Sequence, residues 1–431
     1  MNLPQRADVL IIGAGTAGAA AAAACAQRHM KVVCADARRL EDSGARWVNG
    51  VPEWCFEEAG VPAPKGTELR GQGAPFHMIA GQGPSRVVLR GHGLMDVDMR
   101  HLIARLQEYA RSAGATLVGG QRVRGIQRLD GGGARVQVGD KVVEARWVID
   151  ASGLGGAGLV DRPKPAAADL CAAAQYVHHV DDVQAATAWF RSHQVAPGET
   201  LCFTGIAGGY SILNVQLHGE RVAMLTGSIP AAGHPAGQVI LDRFVAEQPW
   251  VGTRLFGGAR AIPLRLPYDR LDDGAVALLG DAACQVFAMH GSGIGAGLIA
   301  ARLLANSLAD GRGTWGYNVD WQRRFGGLFA ASCLFARFSR SLSVAQMGVL
   351  MDAGLMREGI AVAGLEQKPV KPAPSDLPGL VGGALKAPRV VAGVLPVLGK
   401  MGAVQTLYQM YPRELGGLAR WRRMRVRLAR E

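Results

Sequence analysis

The chain has 431 residues, 49% of them apolar and 19% charged, which describes an ordered globular protein with room for two or three domains and excludes a disordered one. Its net charge of +12 favours acidic partners (phosphorylated cofactors, anionic lipid or an acidic protein), a solvated basic surface being the plainer reading; no nucleic-acid motif accompanies the charge, so no nucleic acid is expected. Seven cysteines are scattered without a CxxC pair, so neither a disulfide framework nor a metal site is expected, and a cytoplasmic setting fits.

Asp8-Val-Leu-Ile-Ile12 reads as a buried strand that begins too close to Met1 for a signal peptide to precede it. Gly13-Ala-Gly-Thr-Ala17-Gly18 follows and opens into an alanine-rich helix, and a second apolar run, Val32–Ala35, closes on Asp36. This strand–turn–helix–strand–acid unit is a device for holding a dinucleotide. Gly13 allows the tight turn, Gly15 allows backbone N–H groups to approach a pyrophosphate, and Gly18 lets helix and strand lie close. Asp36 would accept from a ribose hydroxyl. Up to about residue 95 few periodic segments are visible, and Gly71–Pro75 and Gly81–Pro84 break the chain. Asp98-Met-Arg100 starts a helix with Leu102, Leu106, Tyr109 and Ala110 on one face, ending at Gly114. Ala115–Val118 reads as a strand, Val123–Arg128 and Ala134–Val138 as a hairpin, and Trp147–Asp150 as a buried strand entering Ala151-Ser-Gly153.

Residues 168–268 are rich in alternating strands, with Tyr210–Leu217 and Arg221–Ser228 forming an antiparallel hairpin. On it Tyr210, Ile212, Asn214 and Gln216 share one face, which either lines a substrate pocket or is solvated. Ala275–Leu279 returns to a buried strand, Gly293–Leu308 is a helix, and helices continue to about 364. A linker with Pro369, Pro372, Pro374 and Pro378 precedes an apolar and basic tail.

Three further signatures suit a flavin. Asp281 in Gly280-Asp-Ala282-Ala283 can hydrogen-bond a ribityl chain, with small neighbours for close passage. Gly291-Ser292-Gly293-Ile294-Gly295 opens a helix whose backbone N–H groups would face the flavin's pyrimidine edge. Asp150 to Gly153 ends a strand beside the pyrophosphate. A second GxGxxG, Gly153–Gly158, is followed by Asp161-Arg-Pro-Lys-Pro165, which breaks any helix, so no second nucleotide domain is expected.

On these residues the chain resembles the FAD-dependent superfamily of single-component aromatic hydroxylases, geranylgeranyl reductases and flavin-dependent tryptophan halogenases, over about residues 7–310. The resemblance implies an α/β fold: a discontinuous Rossmann-like, glutathione-reductase-type FAD-binding domain (1–165 and 269–330), an inserted antiparallel-sheet substrate domain (166–268) and a helical C-terminal region (331–431). It implies noncovalent FAD held by Gly13, Gly15, Ala17, Gly18, Asp36, Arg46, Arg100, Asp150, Gly153, Gly280, Asp281, Ala282, Gly291, Gly293 and Ile294. His290, Ser292 and Gly293 are the candidates for the catalytic centre; His290 is a proton relay or substrate contact, or else packs locally. Arg46 contacts pyrophosphate or ribose, or packs locally.

The chain departs from the family at Ala288, where a proline is usual, and it lacks the Trp-x-Trp-x-Ile-Pro segment of halogenases and the Tyr-x-Trp-x-Phe-Pro segment of reductases. The leading expectation is a monooxygenase that hydroxylates an apolar or aromatic substrate (indole or peptide-bound Trp included) through a flavin hydroperoxide, with NAD(P)H or a partner reductase as electron donor. The alternatives are a reductase or desaturase of a prenyl or other lipid chain, a halogenase, and a flavoprotein that matures a protein partner. In the tail, Lys386, Arg389, Lys400, Pro388 and Pro396 argue against a spanning helix. Leu415, Leu418, Trp421, Met424 and Leu428 form an apolar stripe among arginines, suited to an anionic membrane on the inner face, to an acidic protein substrate, or to a lid.

Overall fold

The computed structural model describes residues 3–370 and 377–429; Pro372 and Pro374 of the expected linker and the final Arg430 and Glu431 lie outside the described residues. The first sheet is built on the strand Arg6–Ile12, which pairs in parallel with Val32–Ala35 on one side and with Lys141–Asp150 on the other. Thr116–Val118 and Val276–Leu278 extend it in parallel, and the hairpin Val123–Arg128/Ala134–Val138 joins antiparallel to Lys141–Asp150. Val9, Ile11, Cys34 and Ile149 are buried on one face under the helices Thr16–Ala26, Met99–Ser112 and Ile294–Ala309, while Leu10, Val33 and Val148 close a second cluster on the other. Burial on both faces is what continuous apolar runs such as Val9–Ile12 require.

The second sheet has seven strands, paired in the order Val251–Pro263, Leu170–Val180, Arg221–Ser228, Ser211–His218, Thr200–Thr204, Phe76–Ala80 and Arg86–Leu89. The last two strands come from the stretch that lacked visible periodicity, so the second sheet recruits chain from within 1–165; the boundaries drawn at 165 and 268 miss this crossing. Phe76–Ala80 pairs in parallel with Thr200–Thr204, and every other pairing in this sheet is antiparallel. One face packs Leu213, Val215, Leu217 and Met224 against the helices Val183–Ser192 and Gly237–Glu247. A small sheet, Val48–Pro52/Leu94–Asp98/Leu69–Gln72, joins the two layers.

The C-terminal region is helical, and its longest helix is Pro388–Gln409. Pro396 sits inside that helix without ending it, so the prolines read from sequence as arguing against a spanning helix leave this one continuous. Proline costs one backbone bond, but the flanking turns carry the helix through. The apolar stripe of Leu418–Ala429 is corrected. Leu418 and Trp421 are buried, Leu428 packs on the same cluster, and Trp421 Nε1 donates to the Leu407 carbonyl at 2.9 Å. Arg422 pairs with Asp269, and Arg425 is buried and donates to the Pro267 carbonyl at 3.2 Å. Most of the stripe therefore faces the protein; Leu415 and Met424 alone of its members stay exposed. The seven cysteines are buried and no disulfide joins them among the described residues, and burial pushes the thiols of Cys25, Cys171 and Cys202 up to about 12.

Candidate functional site

Gly13 has φ +100°, and a Cβ there would collide with the Ala151 carbonyl oxygen. A Cβ on Gly18 would collide with the Gly13 carbonyl oxygen, and one on Gly15 would come 3.1 Å from Gly44 Cα. Each expected glycine is thus required by a close backbone approach, and the turn is drawn tight. No side chain caps the helix that starts at Thr16, so its first N–H groups are left for an anion. Asp36 Oδ2 accepts from Ala14 N at 2.7 Å and Oδ1 from Arg38 N at 2.8 Å, so the carboxylate braces the turn and keeps lone pairs for a further donor. Gln107 Nε2, which the sequence did not single out, donates to the carbonyls of Ala14 and Leu40 at 3.0 Å each and fixes the turn from behind.

The second half of the site closes on the first through Ala17. A Cβ on Gly280 (φ +66°) would lie 3.0 Å from Ala17 Cβ, and one on Gly297 3.1 Å from it. The Gly280–Ala283 turn is held by Gln285, whose Oε1 accepts from Gly280 N at 2.8 Å while its Nε2 donates to the Tyr317 hydroxyl at 2.8 Å. Ala282 is buried within that turn. Asp281 extends toward Gly293, its Oδ1 3.4 Å from where a Gly293 Cβ would be. Burial pushes the Asp281 carboxyl up, and the Arg260 guanidinium opposes that. Arg260 reaches across from the second sheet, donates to the Gly44 carbonyl, and lies within the field of both Asp36 and Asp281.

Phe287 N donates to the Ser292 carbonyl at 2.9 Å, and Gly291 N to the Phe287 carbonyl at 2.9 Å, folding 287–292 into a tight loop. Gly291 has φ +73° and faces Ile262 and the Tyr210 hydroxyl. Gly293 caps the helix Ile294–Ala309 without a side-chain hydrogen bond, so the first N–H groups of that helix, Ile294's among them, point out of the loop. Ser292 Oγ and His290 Nε2 are buried with no hydrogen-bond partner. Burial holds the His290 imidazole down at about 4, against the opposing pull of the backbone carbonyls of its own residue and Gly364, to which the ring donates.

This has a consequence for acid stability. The folded protein refuses a proton that unfolded His290, titrating near 6.5, accepts. Stability should be flat above pH 6.5 and fall as pH drops toward 4, by about 3 kcal/mol from this group. Urea midpoints measured between pH 4 and 8 should show that loss, and His290→Gln should remove it. An unchanged acid limb in His290→Gln would assign the loss to other groups.

Not every expected residue joins the site. Arg46 turns outward, pairing with Asp42 at 2.9 Å and donating to the Glu41 carbonyl at 2.6 Å, the local packing that the sequence left as its alternative. The buried Asp150 carboxylate is engaged by Ser152 N (3.1 Å), Ser152 Oγ (2.6 Å) and Ala157 N (2.8 Å), so it closes the loop after its strand. Gly153, at φ +88°, faces open space on that loop. Arg100 binds Asp98 through Nε at 3.0 Å and Nη2 at 2.7 Å and stacks over Phe256 at 3.6 Å. Asp98 is wholly buried: burial alone would raise its carboxyl, but Arg100 and Arg70 outweigh that and hold it at about 2. The signal for Asp98 was its place before a helix, where its side chain caps Arg100 N at 3.2 Å.

Across the second sheet, cross-strand register sets Arg260, Ala173, Gly227, Ile212 and Thr204 in one row, and Gly258, Gln175, Leu225, Asn214, Cys202 and Met78 in the next. Ile212, Leu225, Asn214 and Met78 keep accessible surface although they sit mid-sheet, so this face is a floor left partly uncovered. Asn214 Oδ1 and Gln175 Oε1 on it have no donor. Trp47 stands over Gly258, 3.4 Å from where its Cβ would be. The apolar helix Glu358–Leu365 packs by the edge strand Arg86–Leu89, and the residue after it is tied down by Trp54 Nε1 to the Glu366 carbonyl (2.7 Å) and Gly93 N to Glu366 Oε1 (2.6 Å).

Residues 8–178 match the lycopene cyclase protein family. The chain is 27% identical over 376 residues to the digeranylgeranylglycerophospholipid reductase of Methanothrix thermoacetophila, covering 81% of this chain and 91% of that protein. Among solved structures, a geranylgeranyl bacteriochlorophyll reductase-like protein from Thermoplasma acidophilum superposes with a TM-score of 0.71 at 19% identity, over 91% of this chain and 99% of that one. A variant of the halogenase PltM, solved in complex with FAD, superposes with a TM-score of 0.56 at 14% identity, over 99% and 96%. The chain is similar along most of its length to oxidoreductases, and its fold is shared with an FAD-bound halogenase. The residues present fit FAD: a glycine cradle, two helix N-termini without side-chain caps, and buried unpartnered polar atoms at Ser292 and His290.

Proposed function

We propose that the protein reduces carbon–carbon double bonds in a prenyl lipid chain. The observation that carries this reading is the partly uncovered sheet face bearing Ile212, Leu225 and Met78, at whose end the Gly291–Gly293 loop lies against Ile262 and the Tyr210 hydroxyl. The lipid reductase that aligns over nearly its whole length supports this reading over the hydroxylation expected first from sequence. Bound FAD, once reduced, supplies the two electrons a double bond takes up, and NAD(P)H or a partner reductase replenishes them. The chain's own residues do the rest. Apolar side chains of the floor exclude water and align an extended chain, as Trp47 walls one side. N–H groups at the start of Ile294–Ala309 stabilise negative charge at the loop. Ser292 Oγ–H is a donor without a protein acceptor, and His290, neutral at pH 7, holds a proton on one ring nitrogen only.

The test is to reduce the holoprotein without air, add a geranylgeranyl lipid and follow its mass. A gain of two hydrogens per double bond, independent of oxygen, is expected. Unchanged lipid without air, with a gain of one oxygen atom in air, would overturn the reading in favour of hydroxylation.

A further inference from the structure

The helices Leu377–Lys386 and Pro388–Gln409 show an apolar surface that the protein itself does not cover. Val381 is 60% exposed, Leu385 79%, Leu395 59% and Leu398 48%. Pro388–Gln409 alone among the described helices is long and apolar enough to cross a membrane, yet little of its apolar stretch is buried. Its far end is fixed: Val404, Leu407 and Tyr408 are buried against Gly327–Ser339, where Gly327 brings the two helices so close that a Cβ would lie 2.9 Å from Gln405 Cα. The free stretch from Pro388 to Ala403 is about 24 Å long at about 1.5 Å per residue, short of the roughly 30 Å of a hydrocarbon core. From Leu377 to Arg413 the chain carries Lys386, Arg389, Lys400 and Arg413 and no aspartate or glutamate. An apolar helix edged only by cations, anchored at one end, suits the boundary between headgroups and acyl chains of an anionic bilayer.

We propose that Leu377–Lys386 and the first part of Pro388–Gln409 are a docking face for an anionic lipid bilayer, lying in its interface and not spanning it. Val390, at the base of the face, packs in one apolar cluster with Leu355, Met356 and Met347, and with Met78 of the second sheet. The docking face stands independently of the reductase reading. It replaces the helix Leu418–Ala429, whose stripe is largely spent on packing, as the membrane contact.

The experiment is sedimentation of the full-length holoprotein with vesicles of phosphatidylcholine alone or with about a third phosphatidylglycerol. Wild type should sediment with the anionic vesicles, less so at high salt. A Leu385→Asp/Leu395→Asp/Leu398→Asp variant that keeps FAD and its thermal midpoint should lose at least about tenfold in partitioning, since three buried apolar contacts become charges. Arg389→Gln with Lys400→Gln should lose the preference for anionic over neutral vesicles. Should the triple variant misfold, Leu395→Trp gives a second reading: its emission should shift blue only with anionic vesicles. Wild type that ignores both vesicle types, or whose face proves instead to join two copies into a dimer broken by the triple substitution, would overturn the proposal. Loss of lipid reduction with vesicle binding intact would count against the reductase reading alone.

Discussion

Gly18→Ala should be purified without FAD. The new methyl group would collide with the Gly13 carbonyl oxygen, and the fingerprint turn has no slack: Gly13 is itself pressed on Ala151, and Ala14 is pinned by Asp36 and Gln107. Helix and strand must separate, moving the N–H groups that face the phosphates. We expect FAD affinity to fall at least about 100-fold, equivalent to about 2.8 kcal/mol, with a lower thermal midpoint. Gly155→Ala, in the second GxGxxG, should bind FAD as wild type does, because a Cβ there meets open space. Fluorescence titration with FAD checks both. Tight FAD binding by Gly18→Ala would refute the role of this turn.

Gly293→Val should keep most FAD and lose turnover. Its Cβ would stand 2.9 Å from the Gln285 carbonyl oxygen and 3.1 Å from Val286 Cγ2, so the loop backs away from the cofactor. Losing backbone donors aimed at developing negative charge costs about 100-fold in comparable sites. Flavin reduction, followed by absorbance, should slow by about 10- to 100-fold in Gly293→Val. It should change no more than about threefold in Ser292→Ala, because the backbone makes the contact. The reverse ranking would move the role to the serine hydroxyl.

The parts of this site that were legible in sequence are the local ones. Gly13 and Gly18 are dictated by contacts within a few residues or with the neighbouring strand, and Asp98 announces a helix start. Gln107 and Arg260 were invisible because each acts on backbone brought near by folding, Gln107 on Ala14 and Arg260 on Gly44. Arg46 was left with two readings because an arginine looks alike in sequence whether it meets a phosphate or Asp42. The stripe Leu418–Trp421–Leu428 had the same ambiguity: helical periodicity marks a buried face without saying what buries it. The pair Phe76–Ala80 and Arg86–Leu89 escaped notice because its partner strand lies far along the chain.

That distant pairing governs how the protein can be made and divided. Thr204 Oγ1 donates to the Ile79 carbonyl across 125 residues of sequence. During synthesis Phe76–Ala80 therefore waits, with one edge unsatisfied, until Thr200–Thr204 has left the ribosome. A fragment cut at 165 would carry an orphan hairpin, and one begun at 166 would expose the Thr200–Thr204 edge to strangers. Neither half is an independent folding unit, so truncation would yield aggregates and not modules, while circular permutation that keeps both strands in one chain would preserve the sheet.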